Sequence, residues 1–317
     1  MGWELEIGGT RPCGHSRPGI IPEAKVAPRP ARPSILCGPI VTRRALASPS
    51  ILVFDSGLGG LSVFRELVRA RPDARFVYAA DDAVFPYGAI EEHALIARAS
   101  TVMERLIAAS KPDLVVVACN TASTVILPAL RARFTVPFVG TVPAIKPACA
   151  ASTTKLVSVL GTEATVKREY TRALIREFAV GCDVTLVGSA HLAPLAERAL
   201  RGEAVDDAAI AAEIAPCFVA NGTRRTDTIV LACTHYPLLL ARLRRVALWP
   251  VNFLDPAPAI ARRVVDLVGP ATGPPAPAPP QAIFTSGHAS PALAAALARF
   301  GITKIADGAF DTPPYSA

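Results

Sequence analysis

Apolar and polar residues alternate along most of this chain as short, wholly apolar runs separated by longer stretches of mixed character. The apolar runs predict buried strands, and they lie at residues 50–57, 75–82, 114–119, 138–142, 155–162, 184–189, 228–233 and 282–287. Between them, apolar residues with a period of 3.6 predict helices, one opening at Ser62 and others at 91–109, 122–133, 165–178, 192–202, 206–220, 257–268 and 291–299. Strands that alternate with helices in this way indicate βαβ units and parallel sheets.

The pattern starts again near residue 155, which predicts two α/β domains. We expect the first domain to contain residues 50–143 plus 255–317, and the second to contain residues 144–254. Residues 1–49 hold eight prolines, scattered arginines and no periodic apolar face. Because such a segment buries too little apolar surface to offset the entropy lost on ordering, it is predicted to be a disordered N-terminal tail.

Composition and charge exclude several classes of protein. The formal net charge is +7, but residues 1–50 hold seven Lys and Arg against three Glu and carry +4 of it. The predicted fold therefore has no basic stripe for nucleic acid. The seven cysteines form no C-x-x-C pair, so neither a disulfide framework nor a zinc site is expected. Without a long apolar span or a secretory signal, the chain is predicted to be cytoplasmic, with no membrane partner.

Two segments of the chain are nearly copies of each other. VVVACNT ends a predicted strand at residues 115–121, and IVLACTHYP does so at residues 229–237. In open parallel sheets, ligands bind beyond the carboxyl ends of the strands. Cys119 and Cys233 are therefore both expected at positions where chemistry takes place, so that two thiols act on one substrate. Cys149, Cys182 and Cys217 lack this context and are interpreted as buried, inert thiols.

Two other sites were weighed against this interpretation. Gly57-x-Gly59 after the first strand approaches a dinucleotide-binding fingerprint, with acidic residues after the second strand. The third glycine is replaced by Ser62, and a nicotinamide cofactor would leave the paired cysteines unexplained. Cys13 and His15 lack two further ligands, so no metal site is predicted.

Five motifs together resemble the glutamate racemases: FDSGLGGLSV, DDAVFPYG, VACNTAS, GTEATV and LACTHYPLL, which occur in this order over about residues 50–290. The resemblance implies two similar parallel-sheet α/β domains related by pseudo-two-fold symmetry, with the active site in the cleft between them. It implies racemisation of glutamate without a cofactor, supplying D-glutamate for peptidoglycan. The substrate is the small-molecule partner, and a homodimer is left open.

The resemblance also assigns the site residues. The implied catalytic residues are Cys119, Cys233, Asp55 and His235. The implied substrate-binding residues are Asp55, Ser56, Tyr87, Gly88, Asn120, Thr121, Thr162, Thr165, Thr234 and His235. Asp55 would assist proton transfer at Cys119, and His235 would do so at Cys233.

Racemisation requires removal of the Cα proton on one face and delivery of a proton on the other, which two bases accomplish directly. A free thiol is mostly protonated at neutral pH, so the site is expected to lower the pKa of one thiol through a helix dipole. Three alternatives stay open: an aspartate racemase, a decarboxylase or isomerase of the same superfamily, and a binding protein without enzymatic activity.

The chain departs from the family pattern in two places. The residues before Pro86 read Asp81-Asp82-Ala83-Val84, where Asp-Thr-Ala-Arg is common, and Gly161 stands where alanine is usual. We therefore expect differences in loop contacts and at any nearby dimer interface, with the catalytic set intact.

Overall fold

A computed structural model describes residues 46–276 and 278–306. The predicted tail, residues 1–49, lies outside the described residues except for its last four. No helix within the described ranges combines the length and apolar character needed to cross a membrane.

The described chain alternates strands and helices, as the hydrophobic pattern predicts. The strands are β1 Ser50–Asp55, β2 Arg75–Ala80, β3 Leu114–Val117, β4 Phe138–Gly140, β5 Leu156–Thr162, β6 Asp183–Ser189, β7 Ala220–Asn221, β8 Arg224–Arg225, β9 Thr228–Ala232, β10 Asn252–Leu254, β11 Gln281–Phe284 and β12 Lys304–Ala306. The α-helices are α1 Leu61–Ala70, α2 Glu92–Ser110, α3 Asn120–Ser123, α4 Leu127–Arg133, α5 Ile145–Ala151, α6 Glu163–Lys167, α7 Glu169–Phe178, α8 Leu192–Leu200, α9 Asp207–Ile214, α10 Leu240–Val246, α11 Ala257–Val268 and α12 Pro291–Ala298. Short 3₁₀ turns cover Asp82–Val84, Tyr87–Ala89, Ala215–Cys217 and Tyr236–Leu239.

These strands form two parallel sheets, each the centre of an α/β domain. The first sheet has six strands in the order β12-β11-β2-β1-β3-β4, and the second has four in the order β10-β9-β5-β6. All pairings within both sheets are parallel. Strands β7 and β8 form a separate antiparallel hairpin.

The second sheet repeats the connectivity of the first. Its order β6-β5-β9-β10 corresponds to β2-β1-β3-β4. In the first sheet β1 lies between β2 and β3, and in the second sheet β5 lies between β6 and β9. β3 and β9 are the strands that lead into the two Ala-Cys motifs. Strands β3 and β9 occupy equivalent places, which confirms that the two α/β domains are similar.

Helices cover both faces of each sheet, so the central strands β1, β3, β5 and β9 are buried on both faces. In β1, Ile51 and Val53 pack into a core cluster that includes residues of α1 and α11. Leu52 and Phe54 point to the opposite face, into a cluster formed largely with α2. This alternation follows from the two-residue repeat of a strand, and burial on both faces explains the continuous apolar runs in the sequence.

Two predicted helices are interrupted. The helix expected at 122–133 divides into α3 and α4, and a continuous helix would have placed Pro128 in its interior, where proline removes a hydrogen bond. The helix expected at 165–178 divides at Arg168, which has an extended conformation (φ −72°, ψ 140°). The side chain of Thr162 accepts from the backbone N–H of Thr165 and caps α6, which starts the helix earlier than predicted.

A buried arginine joins the two ends of the first domain. Arg71 donates to both carboxylate oxygens of Asp73, at 2.8 and 2.9 Å, and to the carbonyls of Leu46, Val268 and Gly269. Because each end of the guanidinium has an acceptor, the buried charge is compensated. Leu46, four residues before the predicted first strand, is thus bonded both to Arg71 and to Val268 at the end of α11.

Candidate active site

The structure brings Cys119 and Cys233 to one cleft. Cys119 follows β3 and begins α3, and Cys233 follows the equivalent strand β9. Each side chain is 6% exposed. The cleft has a volume of about 320 Å³, including space open to solvent, and is lined by Ser56, Phe85, Pro86, Tyr87, Gly88, Cys119, Asn120, Thr121, Thr162, Ala193, Cys233, Thr234 and His235. Ten of the twelve predicted site residues therefore line one cleft.

The surroundings of Cys119 keep its thiol protonated. Its Sγ accepts from the backbone N–H of Ala122 at 3.5 Å and lies 3.7 Å from the hydroxyl of Ser56. Burial, followed by the negative charge of Asp55, raises the pKa of Cys119 to about 12. The N–H at the start of α3 lowers this pKa, as expected from the helix position, but burial outweighs it. Cys119 is thus a neutral thiol at neutral pH.

Asp55 lies behind the cleft instead of lining it. Its Oδ1 accepts from the N–H of Gly57 at 2.9 Å and from the hydroxyl of Ser56 at 3.3 Å. Its Oδ2 accepts from the hydroxyl of Thr234 at 3.0 Å. Burial raises the pKa of Asp55, although His235 and the hydrogen bonds from Gly57 and Thr234 oppose the shift. Asp55 is therefore connected to Cys119 by hydrogen bonds through Ser56. It is also hydrogen-bonded to Thr234, the residue that follows Cys233.

The surroundings of Cys233 are cationic. His235 Nδ1 lies 3.7 Å from Cys233 Sγ, and His235 Nε2 lies 2.9 Å from Glu197 Oε1. Burial alone would lower the pKa of His235, but Cys233 and Glu197 raise it well above its ordinary value. Burial would likewise raise the pKa of Glu197, yet His235 lowers it. The imidazole is consequently held as an imidazolium against the Cys233 sulfur.

The glycine-rich turn after β1 allows this pair to approach the first domain. The backbone N–H of Leu58 donates to Glu197 Oε1 at 2.6 Å. A Cβ on Gly57 would lie 2.6 Å from that same oxygen, and a Cβ on Gly59 would lie 2.3 Å from His235 Nδ1. A side chain at Gly57 would displace the Glu197 carboxylate, and one at Gly59 would displace the His235 ring. The glycines thus permit a close contact between domains, a role different from holding a dinucleotide phosphate.

Polar groups gather at the part of the cleft near α3 and α6. The hydroxyls of Thr121, Thr162 and Thr165 lie 2.9–3.2 Å from one another. Thr162 lines the cleft, whereas Thr165 is fully buried behind it. Asn120 is 2% exposed, and both polar atoms of its amide have no hydrogen-bond partner among the described residues. A buried amide left unpaired is costly, so this group is available for a polar ligand.

The loop that carries Tyr87 and Gly88 is held in place by hydrogen bonds to Asp81. The Tyr87 hydroxyl donates to Asp81 Oδ2 at 2.7 Å. Arg98 of α2 donates to both oxygens of Asp81 at 3.0 and 2.6 Å, and Thr285 donates to it at 2.7 Å. The buried carboxylate is thereby fully compensated. These contacts orient Tyr87, which is 1% exposed, at the edge of the cleft.

The departure from the family pattern at Asp82 has a structural counterpart. Its carboxylate accepts from the backbone N–H and the hydroxyl of Ser286, at 3.0 and 2.6 Å. The cleft loop is thus bonded to the segment that follows β11.

Two residues of the site were not predicted from the sequence: Glu197, which holds His235, and Ala193, which lines the cleft. One signal was available for Glu197. On α8 it lies four residues after Ala193 and three before Leu200, on the face that the apolar pattern assigns to the core. A carboxylate at such a position needs a buried partner. Within the described ranges, no three His, Cys, Asp or Glu side chains are grouped so that they could hold a metal ion.

Comparison with known proteins agrees with this geometry. Residues 51–264 match the family model described as Asp/Glu/Hydantoin racemase. A glutamate racemase of Mesorhizobium japonicum is 52% identical over 255 residues, which cover 80% of this chain and 97% of the relative. A glutamate racemase of Brucella anthropi is 56% identical over 225 residues, which cover 71% and 81%.

A solved structure of similar fold is glutamate racemase from Escherichia coli, in complex with L-glutamate and the activator UDP-MurNAc-Ala. It is 39% identical with a TM-score of 0.74, and the match covers 81% of this chain and 97% of that one. The racemase of Aquifex pyrophilus is 29% identical with a TM-score of 0.62, covering 82% and 100%. This chain, whose two strand-end cysteines line one cleft, therefore belongs to the Asp/Glu/Hydantoin racemase family of isomerases.

Proposed function

We propose that this enzyme interconverts L- and D-glutamate by two-base proton transfer at Cα, with Cys119 and Cys233 on opposite faces of the substrate. The observation that carries the proposal is the delivery of two thiols to one cleft by the equivalent strands β3 and β9. The choice of glutamate rests on the glutamate racemases that the chain resembles at 52% and 56% identity.

The two thiols begin in different protonation states. Burial raises the pKa of Cys119 to about 12, so it begins as the acid that returns a proton. Cys233 faces the His235 imidazolium, and we assign it the thiolate that removes the Cα proton. The roles exchange when the opposite enantiomer binds, because the acid of one direction is the base of the other. Two thiols supply both proton transfers, so the proposal requires no pyridoxal phosphate or other cofactor.

The remaining cleft residues hold the substrate. We assign the amide of Asn120 and the hydroxyls of Thr121 and Thr162 to its polar groups, because Asn120 is buried and unpartnered among the described residues. Ser56 and Thr234 lie beside the two thiols, where they donate to the α-carboxylate as charge develops on it in the transition state. Tyr87 and Gly88 form another part of the cleft wall and help to enclose the substrate.

The decisive experiment follows hydrogen at Cα in deuterated water. Two opposite-face bases place solvent deuterium in the newly formed enantiomer from the first turnovers, while unreacted substrate keeps its hydrogen. A single base that reaches both faces would carry part of the original hydrogen into the product. Such internal return would contradict the proposal. The assay is run with and without UDP-MurNAc-Ala, because the Escherichia coli relative was solved with it as activator.

A panel of substrates separates the related activities. L-glutamate, L-aspartate and hydantoins are each incubated with pure protein, and optical rotation and release of carbon dioxide are followed. Glutamate racemisation without carbon dioxide is expected. Racemisation of aspartate alone, or decarboxylation, would replace the proposed substrate or reaction, and inactivity on every compound would favour a binding protein.

The cellular role follows from the product. We propose a cytoplasmic enzyme that supplies D-glutamate for peptidoglycan. Expression in a bacterial strain that needs added D-glutamate is expected to restore growth without it. The Cys119→Ala variant serves as the matched control and should leave the strain dependent.

A further inference from the structure

Two cysteines that the proposed reaction does not use lie together in the second domain. Cys149 belongs to the last turn of α5, and Cys182 immediately precedes β6. The Cys182 thiol donates to the backbone carbonyl of Cys149 at 3.7 Å. Both side chains belong to one apolar cluster, which also contains Val159 and Leu174. Neither cysteine lines the cleft.

The separation suits a disulfide. A carbonyl oxygen lies about 2.4 Å from its own Cα by standard backbone dimensions, so Cys182 Sγ is within about 6 Å of the Cys149 Cα. The side chains also interact directly, because Cys182 acts on the titration of the Cys149 thiol. Bridged cysteines have Cα atoms about 4.4–6.8 Å apart. Because the Cys182 sulfur lies against the last turn of α5 and both side chains pack in one cluster, the proposed bond requires the two side chains to turn toward each other with their Cα atoms in this range.

We propose that Cys149 and Cys182 are a peroxide-responsive pair that forms a reversible intramolecular disulfide. The oxidant belongs to the class of hydroperoxides, of which hydrogen peroxide is the simplest. The bond would join the end of α5 to the start of β6.

The order of the two steps follows from exposure. Cys182 is partly exposed, whereas Cys149 is 6% exposed. The Cys182 sulfur attacks one oxygen of hydrogen peroxide and the O–O bond breaks; the departing hydroxide takes up the proton lost by the thiol and leaves as water, and a sulfenic acid remains on Cys182. The Cys149 sulfur then attacks the sulfenic sulfur, the S–O bond breaks, and the hydroxyl leaves with the thiol proton as water. Overall, two thiols lose two electrons and two protons, and one peroxide becomes two waters.

Lys155 is placed to assist the second step. Its Nζ donates to the Cys149 carbonyl at 2.9 Å. Burial and then the Cys182 side chain raise the pKa of Cys149 to about 12, whereas Lys155 lowers it. Cys149 is thus protonated at rest and suits the resolving role, and the adjacent ammonium stabilises its thiolate as the bond forms.

The closed segment contains β5, α6 and α7, including Thr162 and Thr165 of the cleft. A disulfide restricts the unfolded chain. We expect the oxidised protein to melt about 3–8 °C above the reduced protein.

The test uses the full-length chain, first reduced and desalted, then exposed to graded hydrogen peroxide and alkylated. Digestion without reductant and mass spectrometry are expected to give a linked peptide containing Cys149 and Cys182, which dithiothreitol releases. The link should be absent from Cys149→Ser and Cys182→Ser. It should persist in Cys217→Ser, the matched control at another buried cysteine of the same domain. In Cys149→Ser, sulfenic acid should accumulate at Cys182 and be trapped by dimedone.

Three results would overturn the proposal: over-oxidation of Cys182 in the wild type without a link to Cys149, a predominant link from Cys182 to Cys13, Cys37 or another chain, or no rise in melting temperature when the link is complete. The wild-type result decides even if Cys149→Ser fails to fold. Cys182→Ser changes a partly exposed position, and we expect it to fold and to keep wild-type racemase activity without peroxide.

Discussion

The two thiols of the cleft occupy equivalent positions in similar sheets, but their surroundings carry opposite charge. In the Cys119 half-site, formed by Cys119, Asp55 and Ser56, a buried carboxylate acts on the thiol through a hydroxyl. In the Cys233 half-site, formed by Cys233, His235 and Glu197, an imidazolium lies against the sulfur. The repeated fold thus sets where each thiol lies, and the neighbouring side chains set the charge beside it.

This asymmetry suits the proposed reaction. A two-base racemase needs one acid and one base at the start of each turnover. The half-sites are also connected, because Thr234, next to Cys233, donates to Asp55 at 3.0 Å. Hydrogen bonds therefore connect Cys119, through Ser56 and Asp55, with Thr234, the residue that follows Cys233.

The largest effect is expected when either thiol is removed. Cys119→Ala and Cys233→Ala should each lower racemisation by about 10³-fold or more, since each removes a general acid–base group and the two-base route with it. Each variant should still exchange Cα hydrogen for deuterium in the one enantiomer that faces its remaining thiol. Nuclear magnetic resonance of each pure enantiomer in deuterated water measures this exchange.

Comparison of the two variants identifies the enantiomer that each half-site deprotonates. The fold should survive both changes, because truncation of a small side chain at a strand end leaves only a small cavity. Cys217→Ala, at a buried cysteine outside the cleft, is the control and should retain activity. Substantial racemisation by Cys119→Ala or Cys233→Ala would exclude the two-thiol reaction.

The next effect concerns the residues that tune each thiol. Asp55→Asn and His235→Asn should each lower kcat by about 10²-fold, the usual scale of assistance to proton transfer. Because the two enantiomers are equal in energy, kcat/KM must stay equal in both directions. If a variant affects the two directions of reaction unequally, kcat and KM will therefore change by a common factor in one direction. Equal losses of less than about tenfold would mean that these residues bind substrate without assisting proton transfer.

A smaller effect is expected from Glu197→Gln, which removes the charge behind His235. The pKa of His235 should fall, so the imidazolium is lost at a lower pH. A fall of one pKa unit changes the charged population by a factor of about ten above that pKa. In pH profiles of both directions we expect kcat of the variant to fall at a lower pH than kcat of the wild type, with a loss of about tenfold at pH values above both pKa values and a smaller loss below them.

The Glu197→Gln variant also tests whether the ion pair between His235 and Glu197 stabilises the fold. His235 has a raised pKa, so its contribution is complete below its ordinary value of 6.5 and is lost as pH rises through the folded value. Glu197 has a lowered pKa, so its contribution is complete above 4.5 and is lost as pH falls through the folded value. The difference in melting temperature between wild type and Glu197→Gln should therefore be greatest between pH 4.5 and 6.5. Glu203→Gln, which alters an exposed ion pair with Arg198, is the control, and an equal pH dependence in it would contradict the assignment.

The sequence was sufficient to predict the positions of the two thiols. Strands buried on both faces leave a clear apolar run, and the run before each Ala-Cys motif is β3 or β9 in the structure. The carboxyl ends of parallel strands lie at one edge of their sheet. The residues that directly follow the two thiols therefore also line the cleft, namely Asn120, Thr121, Thr234 and His235. The helix boundaries were less predictable, because the conformation of Arg168 depends on packing and leaves no signal in the periodicity.

The protonation states could not be predicted in this way. A helix dipole suggests a lowered pKa for a thiol at its start, yet burial dominates at Cys119. The protonation of His235 depends on its hydrogen bond with Glu197, which is 38 residues away in the chain. The support of Tyr87 depends likewise on Asp81, Arg98 and Thr285, which belong to three separate segments. Contacts between distant segments leave no local pattern, and they decide most of the electrostatics of the cleft.

The smallest expected effect compares two serines, one beside each half-site. Ser56 lies between Asp55 and Cys119, and its hydrogen bond lowers the pKa of Cys119, so Ser56→Ala should raise that pKa further. A neutral hydrogen bond is worth about 0.5–1.5 kcal/mol, which corresponds to a loss of about 2–10-fold in kcat. The loss should be largest for the enantiomer that the Cys233→Ala variant still exchanges, since Cys119 is the base for that enantiomer. Ser62 donates to the Thr234 carbonyl at 2.8 Å and touches neither thiol, so Ser62→Ala should lower the melting temperature and affect both directions equally. If both variants change the two directions in the same proportion, Ser56 is a structural residue, and the Cys119 half-site is tuned by Asp55 and burial alone.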